Sequence, residues 1–303
     1  MSLPSPLLEK SSLERLERLV VRWGKSFAGL LGGSNSSLYA GVGNEFLDHR
    51  NFQKGDDLRF VNWRAYLRLE HIFLKMFRTE PRTPIHLLVD CSSSMACGAS
   101  GQDVSSAKFT YACRLAAALC YISLVRLETI VLQPFSDSLH ESFRVDGGRH
   151  RYARAAAFLE NLSAEGCSNF QETIRQFLFR GTSPGLTVLV SDFFDERECY
   201  ESLNHLADFG HELLLVHVAS SEDYAPVWSG ELEFVDSESD HVRRINVDNK
   251  VIEEYTAAYD RHCRKLEYAA LRGHGRYVHL DTKCSIEDSL YGAMTRIGSF
   301  SVH

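Results

Sequence analysis

The sequence predicts an α/β fold: a doubly wound, mostly parallel sheet with an N-terminal arm and a small β insertion. Three observations carry this. Short apolar runs rich in branched side chains recur at Ile85–Val89, Leu186–Val190 and Leu213–Ala219, the pattern of strands buried on both faces, and Tyr277–Leu280 reads as a last strand. Helical patterns separate them, and such alternation builds parallel sheets. The first two runs end in Asp90 and in Ser191-Asp192, polar residues at the edge where open sheets bind ligands.

Composition bounds the class. With 44% hydrophobic and 24% charged residues the chain reads as globular, and 303 residues can build one large domain or two smaller ones. A formal net charge of −7 argues against general affinity for nucleic acid. The eight cysteines are scattered without a C-x-x-C pair, so neither a zinc ribbon nor a redox pair is signalled. The N-terminus has no features of a secretory signal. No apolar run reads as long as a bilayer span, the best being the strand-sized Leu213–Ala219. The expectation is a reduced, cytoplasmic chain with no membrane span.

Residues 1–83 read as the arm. Leu13, Leu16, Leu19 and Val20 share a helical face opposite Glu14, Arg15, Glu17 and Arg18, and Gly29, Gly32 and Gly33 break the pattern. A helix packed on the main body is expected. From Asp48 to Arg82 eight Lys/Arg stand against five Asp/Glu among interleaved aromatics, and Leu67 to Phe77 is strand-like. Basic and aromatic interleaving can signal single-stranded nucleic acid. Charges this nearly balanced instead predict a web of Arg–carboxylate pairs fixing an irregular segment on the main domain.

Residues 84–303 read as the main domain. After the strand at Ile85–Val89, residues 107–127 place Phe109, Ala112, Cys113, Ala116, Leu119, Cys120 and Leu127 at helical spacing. Apolar residues occupy much of the remainder, which predicts a buried helix capped by Asp103 or Ser105. Strands follow at Thr129–Phe135 and Glu141–Val145, then a helix over 152–162 and another with Phe170, Ile174, Phe177 and Leu178 on one face. The strand at Leu186–Val190 precedes a helix over 196–209, stopped by Gly210, and the strand at Leu213–Ala219. An excursion over about 226–247 holds two strand-like runs around a polar turn. A long helix over about 250–271 ends at Gly273, followed by the strand at Tyr277–Leu280 and a helix over 286–297.

Three loops can meet at the carboxyl edge of such a sheet: Asp90-x-Ser92-x-Ser94, Gly166-x-Ser168 and Ser191-Asp192. Alone, D-x-S-x-S more often makes a turn or caps a helix. Together the loops bring two carboxylates and three hydroxyls toward one point. That hard, all-oxygen set suits Mg²⁺ or Mn²⁺ rather than zinc.

Asp90, Ser92, Ser94 and Asp192 match the metal-ion-dependent adhesion site of the von Willebrand factor A fold, with Ser168 standing where that family has Thr. Ser168 keeps the hydroxyl but lacks the methyl that restrains its rotamer. Upstream, Gly43-x-Glu45-Phe46, Asp48-x-Arg50-x-Phe52, Gly55-Asp56-Asp57-x-Arg59, Trp63 and Lys75-x-Phe77-x-x-Glu80 resemble the signature of the bacterial domain of unknown function number 58 family. Asn62 stands where that family has Asp. The resemblance implies a Rossmann-type, von Willebrand factor A-like domain behind an N-terminal arm. It also implies Mg²⁺ (or Mn²⁺), with Ser92 and Ser94 as direct ligands and Asp90 and Asp192 positioning bound waters; with neutral hydroxyls as the direct ligands, the cation is expected to be weakly bound. The implied partner is a MoxR-type AAA+ ATPase, with this chain as adaptor or assembly factor.

The leading expectation is therefore a non-enzymatic, metal-dependent interaction module. A hydrolase using the Asp90/Ser92 loop is the alternative, but an aspartyl phosphotransferase typically wants a second carboxylate where Ser92 stands. Neither a G-x-S-x-G elbow nor a Walker loop occurs. A structural scaffold with an empty metal site is the third class. Among the thirteen histidines, His274 and His279 have no helical metal-pair spacing and are expected to pack.

Overall fold

The structure, a computed structural model, describes residues 6–21, 45–53, 56–78, 84–96, 108–195, 199–236 and 241–302. The chain divides into two units, residues 1–25 with 83–303, and residues 26–82. The first unit begins with α1 (Lys10–Leu16) and β1 (Leu19–Val21), and the second contributes β2 (Glu45–Asn51), α2 (Trp63–Leu69) and β3 (Phe73–Arg78). The chain then returns to the first unit for β4 (Ile85–Asp90), α3 (Ser93–Ala96), α4 (Lys108–Val125), β5 (Ile130–Phe135) and β6 (Phe143–Val145). Next come α5 (Tyr152–Glu160), α6 (Phe170–Phe179), β7 (Leu186–Ser191), α7 (Tyr200–Asp208), β8 (Glu212–Ala219) and α8 (Ser221–Tyr224). The unit closes with β9 (Gly230–Val235), β10 (Val242–Val247), α9 (Asn249–Arg272), β11 (Arg276–Asp281), α10 (Ile286–Asp288) and β12 (Phe300–Val302). The glycine break at 29–33, Gly43, Gly55, the cap at Asp103 or Ser105, and residues 237–240 of the insertion turn lie outside the described residues.

Six strands form the main sheet in the order β11-β8-β7-β4-β5-β6, all parallel except β6, which runs antiparallel to β5. This is the expected doubly wound α/β sheet. Strand alternation sorts the apolar residues between its faces. Ile85, Leu87, Val89, Val188, Val190, Leu214 and Val216 join a core with α1, α4 and α5. Leu88, Leu189, Leu213 and Leu215 join a second core with α6, α7 and α9. Helices cover both faces, so the strands are apolar at nearly every position rather than at every second one.

The helix α4 is long and apolar enough to cross a membrane by length and composition, a run that the sequence reading did not single out. In this fold it is the central helix of one face, with every residue from Lys108 to Leu124 buried except Arg114. The helix ends at Val125, short of the expected Leu127, which is exposed at φ 62°. The two expected strand-like runs of the insertion are β9 and β10, and they pair antiparallel.

Two local expectations change. The N-terminal apolar face splits, because α1 stops at Leu16 and Leu19–Val21 pairs antiparallel with Phe300–Val302. Pairing with a strand nearly the whole chain away satisfies backbone groups that a longer helix would otherwise hold. In the second unit, Leu67–Leu69 is helical, and the strand begins only at Phe73. Asn62 caps that helix through Ala65 N (3.3 Å), and Glu70 ends it in the left-handed region at φ 52°. Arg–carboxylate pairs occur there, Arg50 with Asp56 at 2.8 Å and Arg59 with Asp57 at 2.6 Å.

Candidate functional site

The sheet's winding reverses beside β4. From it the chain goes to β5 on one side and later to β7 on the other, so the switch point, where open α/β sheets bind ligands, falls at the carboxyl ends of β4 and β7. Asp90 ends β4, Ser191 ends β7, and Asp192 follows. All three are fully buried. Pairing of Val89 with Val190 sets Asp90 beside Ser191, and the row continues through His217 on β8 to His279 on β11.

Hydrogen bonds lock this edge. Ser191 Oγ donates to Asp90 Oδ2 at 2.5 Å and accepts from Phe193 N at 2.8 Å. Asp90 Oδ1 accepts from Ser92 N at 2.9 Å, the hydroxyls of Ser92 and Ser94 lie 3.0 Å apart, and Ser94 Oγ donates to Asp192 Oδ1 at 3.4 Å. Asp90, Ser92, Ser94 and Asp192 thus form one connected cluster. Ser168 joins the loops less directly, since its hydroxyl donates to the carbonyl of Phe194 at 3.0 Å. Gly166 places that loop: at φ +85° its backbone sits where L side chains are strained, and its carbonyl accepts from Ser93 N at 2.8 Å.

Charge at the edge is compensated from an unexpected direction. Lys108, the first residue of α4, is 5% exposed, and its Nζ lies 2.5 Å from Asp192 Oδ2. The same ammonium is 3.9 Å from Asp223 Oδ2 and 5.4 Å from the centre of the Phe194 ring. Burial, then the neighbouring Asp192 charge, pushes the Asp90 carboxyl up to about 7, against the Ser191 and Ser92 hydrogen bonds that favour its ionised form. Beyond Ser191 the row becomes aromatic. His217 Nδ1 is 2.8 Å from Tyr277 OH, and Tyr259 OH is 2.9 Å from His279 Nε2. Burial holds His217 well below the usual histidine range, with His279, His262 and Lys108 adding to the depression.

Asp90, Ser92, Ser94, Ser168 and Asp192 are the residues to which the sequence points; Lys108, His217 and the pairing of Ser191 with Asp90 emerge only from the packing. The only available signal for Ser191 was its position beside Asp192 at the end of an apolar run.

The family model described as "Protein of unknown function DUF58" matches residues 48–265. This chain belongs to the DUF58 family. It is 23% identical over 237 residues to the uncharacterized protein Rv1480 of Mycobacterium tuberculosis, covering 77% of this chain and 73% of that protein. The uncharacterized protein Mb1516 of Mycobacterium bovis matches to the same extent. Among solved structures, the conserved hypothetical protein BatB from Bacteroides thetaiotaomicron is similar at 17% identity and a TM-score of 0.43, over 71% of this chain and 98% of BatB. The SpRpn10 VWA domain is similar at 10% identity and a TM-score of 0.37, over 69% and 93% of the two chains.

In this DUF58 chain the oxygen donors at the edge suit a hard cation: the carboxylates of Asp90 and Asp192 and the hydroxyls of Ser92, Ser94 and Ser191 are linked by hydrogen bonds, and the Lys108 ammonium adds a positive group at Asp192. Among the described residues no group of three or more His, Cys, Asp or Glu is gathered to hold a metal. A site here would therefore depend on its serine hydroxyls.

Proposed function

We propose that this DUF58 chain is a non-enzymatic interaction module whose β4–β7 edge binds Mg²⁺ or Mn²⁺ weakly and, through it, a carboxylate of a protein partner. The observation that supports the reading is the single network joining Asp90, Ser92, Ser94 and Asp192 at the switch point of the sheet. Ser92 and Ser94 would be the direct ligands, Asp90 and Asp192 would orient the cation's waters, and Ser168 would brace the loop. The bound cation would supply a positive point for an acidic side chain. This chain's own contribution is to hold the Asp90, Ser92, Ser94 and Asp192 side chains in place at the carboxyl ends of β4 and β7.

The partner proposed is a MoxR-type AAA+ ATPase, with this chain as adaptor or assembly factor. The test is affinity isolation from the native host with Mg²⁺ and with chelator, using wild type and Asp90→Ala. The reading expects an ATPase recovered with wild type in Mg²⁺ and lost in both other arms. Equal recovery in chelator or by a folded Asp90→Ala chain would reject it.

A further inference from the structure

We propose that Lys108 is the built-in counter-cation of this edge, and that a divalent cation binds there only in exchange, the Lys108 ammonium passing from Asp192 to Asp223. The inference rests on the hard-cation reading above and adds how that site is regulated.

Asp192 is shared. Its Oδ1 accepts from Ser94 Oγ at 3.4 Å and from Phe194 N at 3.2 Å, while its Oδ2 faces the Lys108 ammonium at 2.5 Å. A cation drawn to the hydroxyls and to Oδ1 would therefore meet a positive charge across one carboxylate. Both side chains of that ion pair are almost wholly enclosed, 7% and 0% exposed, so solvent screens the repulsion little. Burial without a partner is costly for an ammonium, so Lys108 leaves Asp192 only for another acceptor.

Asp223 is an acceptor already close to Lys108. Its Oδ2 lies 3.9 Å from Lys108 Nζ, and a displacement on the order of an ångström would turn this into a hydrogen bond. Asp223 does not move to meet the lysine. Its Oδ2 accepts from Ser220 N at 2.7 Å in the capping box of α8, and its carbonyl accepts from Tyr255 OH at 2.7 Å. The Phe194 ring, 5.4 Å from Nζ, gives the ammonium an aromatic face along the way. Cation binding at β4–β7 would thus be read at α8, which follows the carboxyl end of β8.

The experiment is Mn²⁺ titration of the full chain, followed by electron paramagnetic resonance and calorimetry, for wild type, Lys108→Met and Asp223→Asn. Circular dichroism melts verify folding. Lys108→Met is expected to bind Mn²⁺ about tenfold tighter or more, because one buried like charge is gone. Asp223→Asn, which removes the acceptor and keeps the lysine, is expected to bind about threefold weaker or more. Equal Mn²⁺ affinity in all three chains would overturn the exchange and leave the hard-cation reading standing. Mn²⁺ binding by none of them, Lys108→Met included, would overturn both. If Lys108→Met does not fold, Asp223→Asn decides alone: unchanged affinity overturns the exchange.

Discussion

Ser191 donates its hydroxyl to Asp90 Oδ2 at 2.5 Å across the two central strands, with both residues fully buried. The same oxygen accepts from Phe193 N, so one hydroxyl serves a carboxylate and a turn. Ser191→Ala removes both services and leaves buried polar atoms short of partners. The expected loss is about 1–3 kcal/mol, measured as a lowered urea midpoint. An unchanged midpoint would show that water replaces the hydroxyl.

Lys108 and Asp192 form a buried ion pair. Lys108→Met strands the Asp192 carboxylate and is expected to cost about 3–5 kcal/mol in metal-free buffer. Adding Asp192→Asn removes the stranded charge, and the double variant is expected to recover most of the loss in the same denaturation assay. Additive losses would count against direct coupling.

These two pairs also mark what could be read in advance. β4, β7 and β8 were legible because a strand covered on both faces must be a continuous apolar run. Asp90, Ser92, Ser94 and Asp192 were legible because each lies at or just beyond the end of such a run. Lys108 was not: a lysine at the start of a helix carries no sign of burial, and only the packing of α4 on the sheet carries it to Asp192. Likewise Leu19 and Val20 fit a helical face locally, and their pairing with β12 depends on residues at the other end of the chain.

Histidine burial predicts acid sensitivity. His86 is 3% exposed, packs edge-on to Phe177 at 5.1 Å, and has no hydrogen-bond partner for its Nδ1. Burial lowers its pKa from the ordinary 6.5 to about 4. Between these values the unfolded chain binds the extra proton, so His86 destabilises the fold as pH falls from 6.5 toward 4 and has no such effect above that window. From pH 7 to pH 5 its share of the loss is about 2 kcal/mol. His86→Phe is expected to flatten the urea-midpoint profile in this window, and a profile of unchanged slope would reject the assignment.

Gly275 sits against the neighbouring strand. A Cβ there would lie 1.8 Å from the carbonyl oxygen of Leu213, and its own N–H donates to Ala270 O at 2.9 Å. The clash is with backbone, so β11 would have to move relative to β8. Gly275→Ala is expected to cost about 1–3 kcal/mol or more, seen as a lower thermal midpoint. Gly292, whose Cβ would meet nothing within 4 Å, is the control, and Gly292→Ala is expected to leave the midpoint close to wild type.

The N-terminal segment is expected to be essential to the sheet unit rather than an appendage. Leu7, Leu8, Leu16 and Leu19 are between 0% and 6% exposed and share the core of α4. Fully burying a leucine is worth about 1.5–3 kcal/mol, so four represent about 6–12 kcal/mol, comparable to the whole stability of a typical domain. Polar contacts fix the same segment: Arg114 Nε donates to Leu7 O at 3.2 Å, Tyr121 OH to Glu17 Oε1 at 2.7 Å, and Arg149 pairs with Glu17 at 3.0 Å. A chain beginning at residue 26 is expected to lose its cooperative melt by circular dichroism. Truncation removes many contacts at once, so the sharper test is Leu16→Ala, expected to cost about 2–5 kcal/mol as a buried leucine. Leu58→Ala, at a position 57% exposed in the second unit, is expected to change stability by less than about 0.5 kcal/mol. Equal, small effects of the two substitutions would mean that α1 does not hold its place on α4.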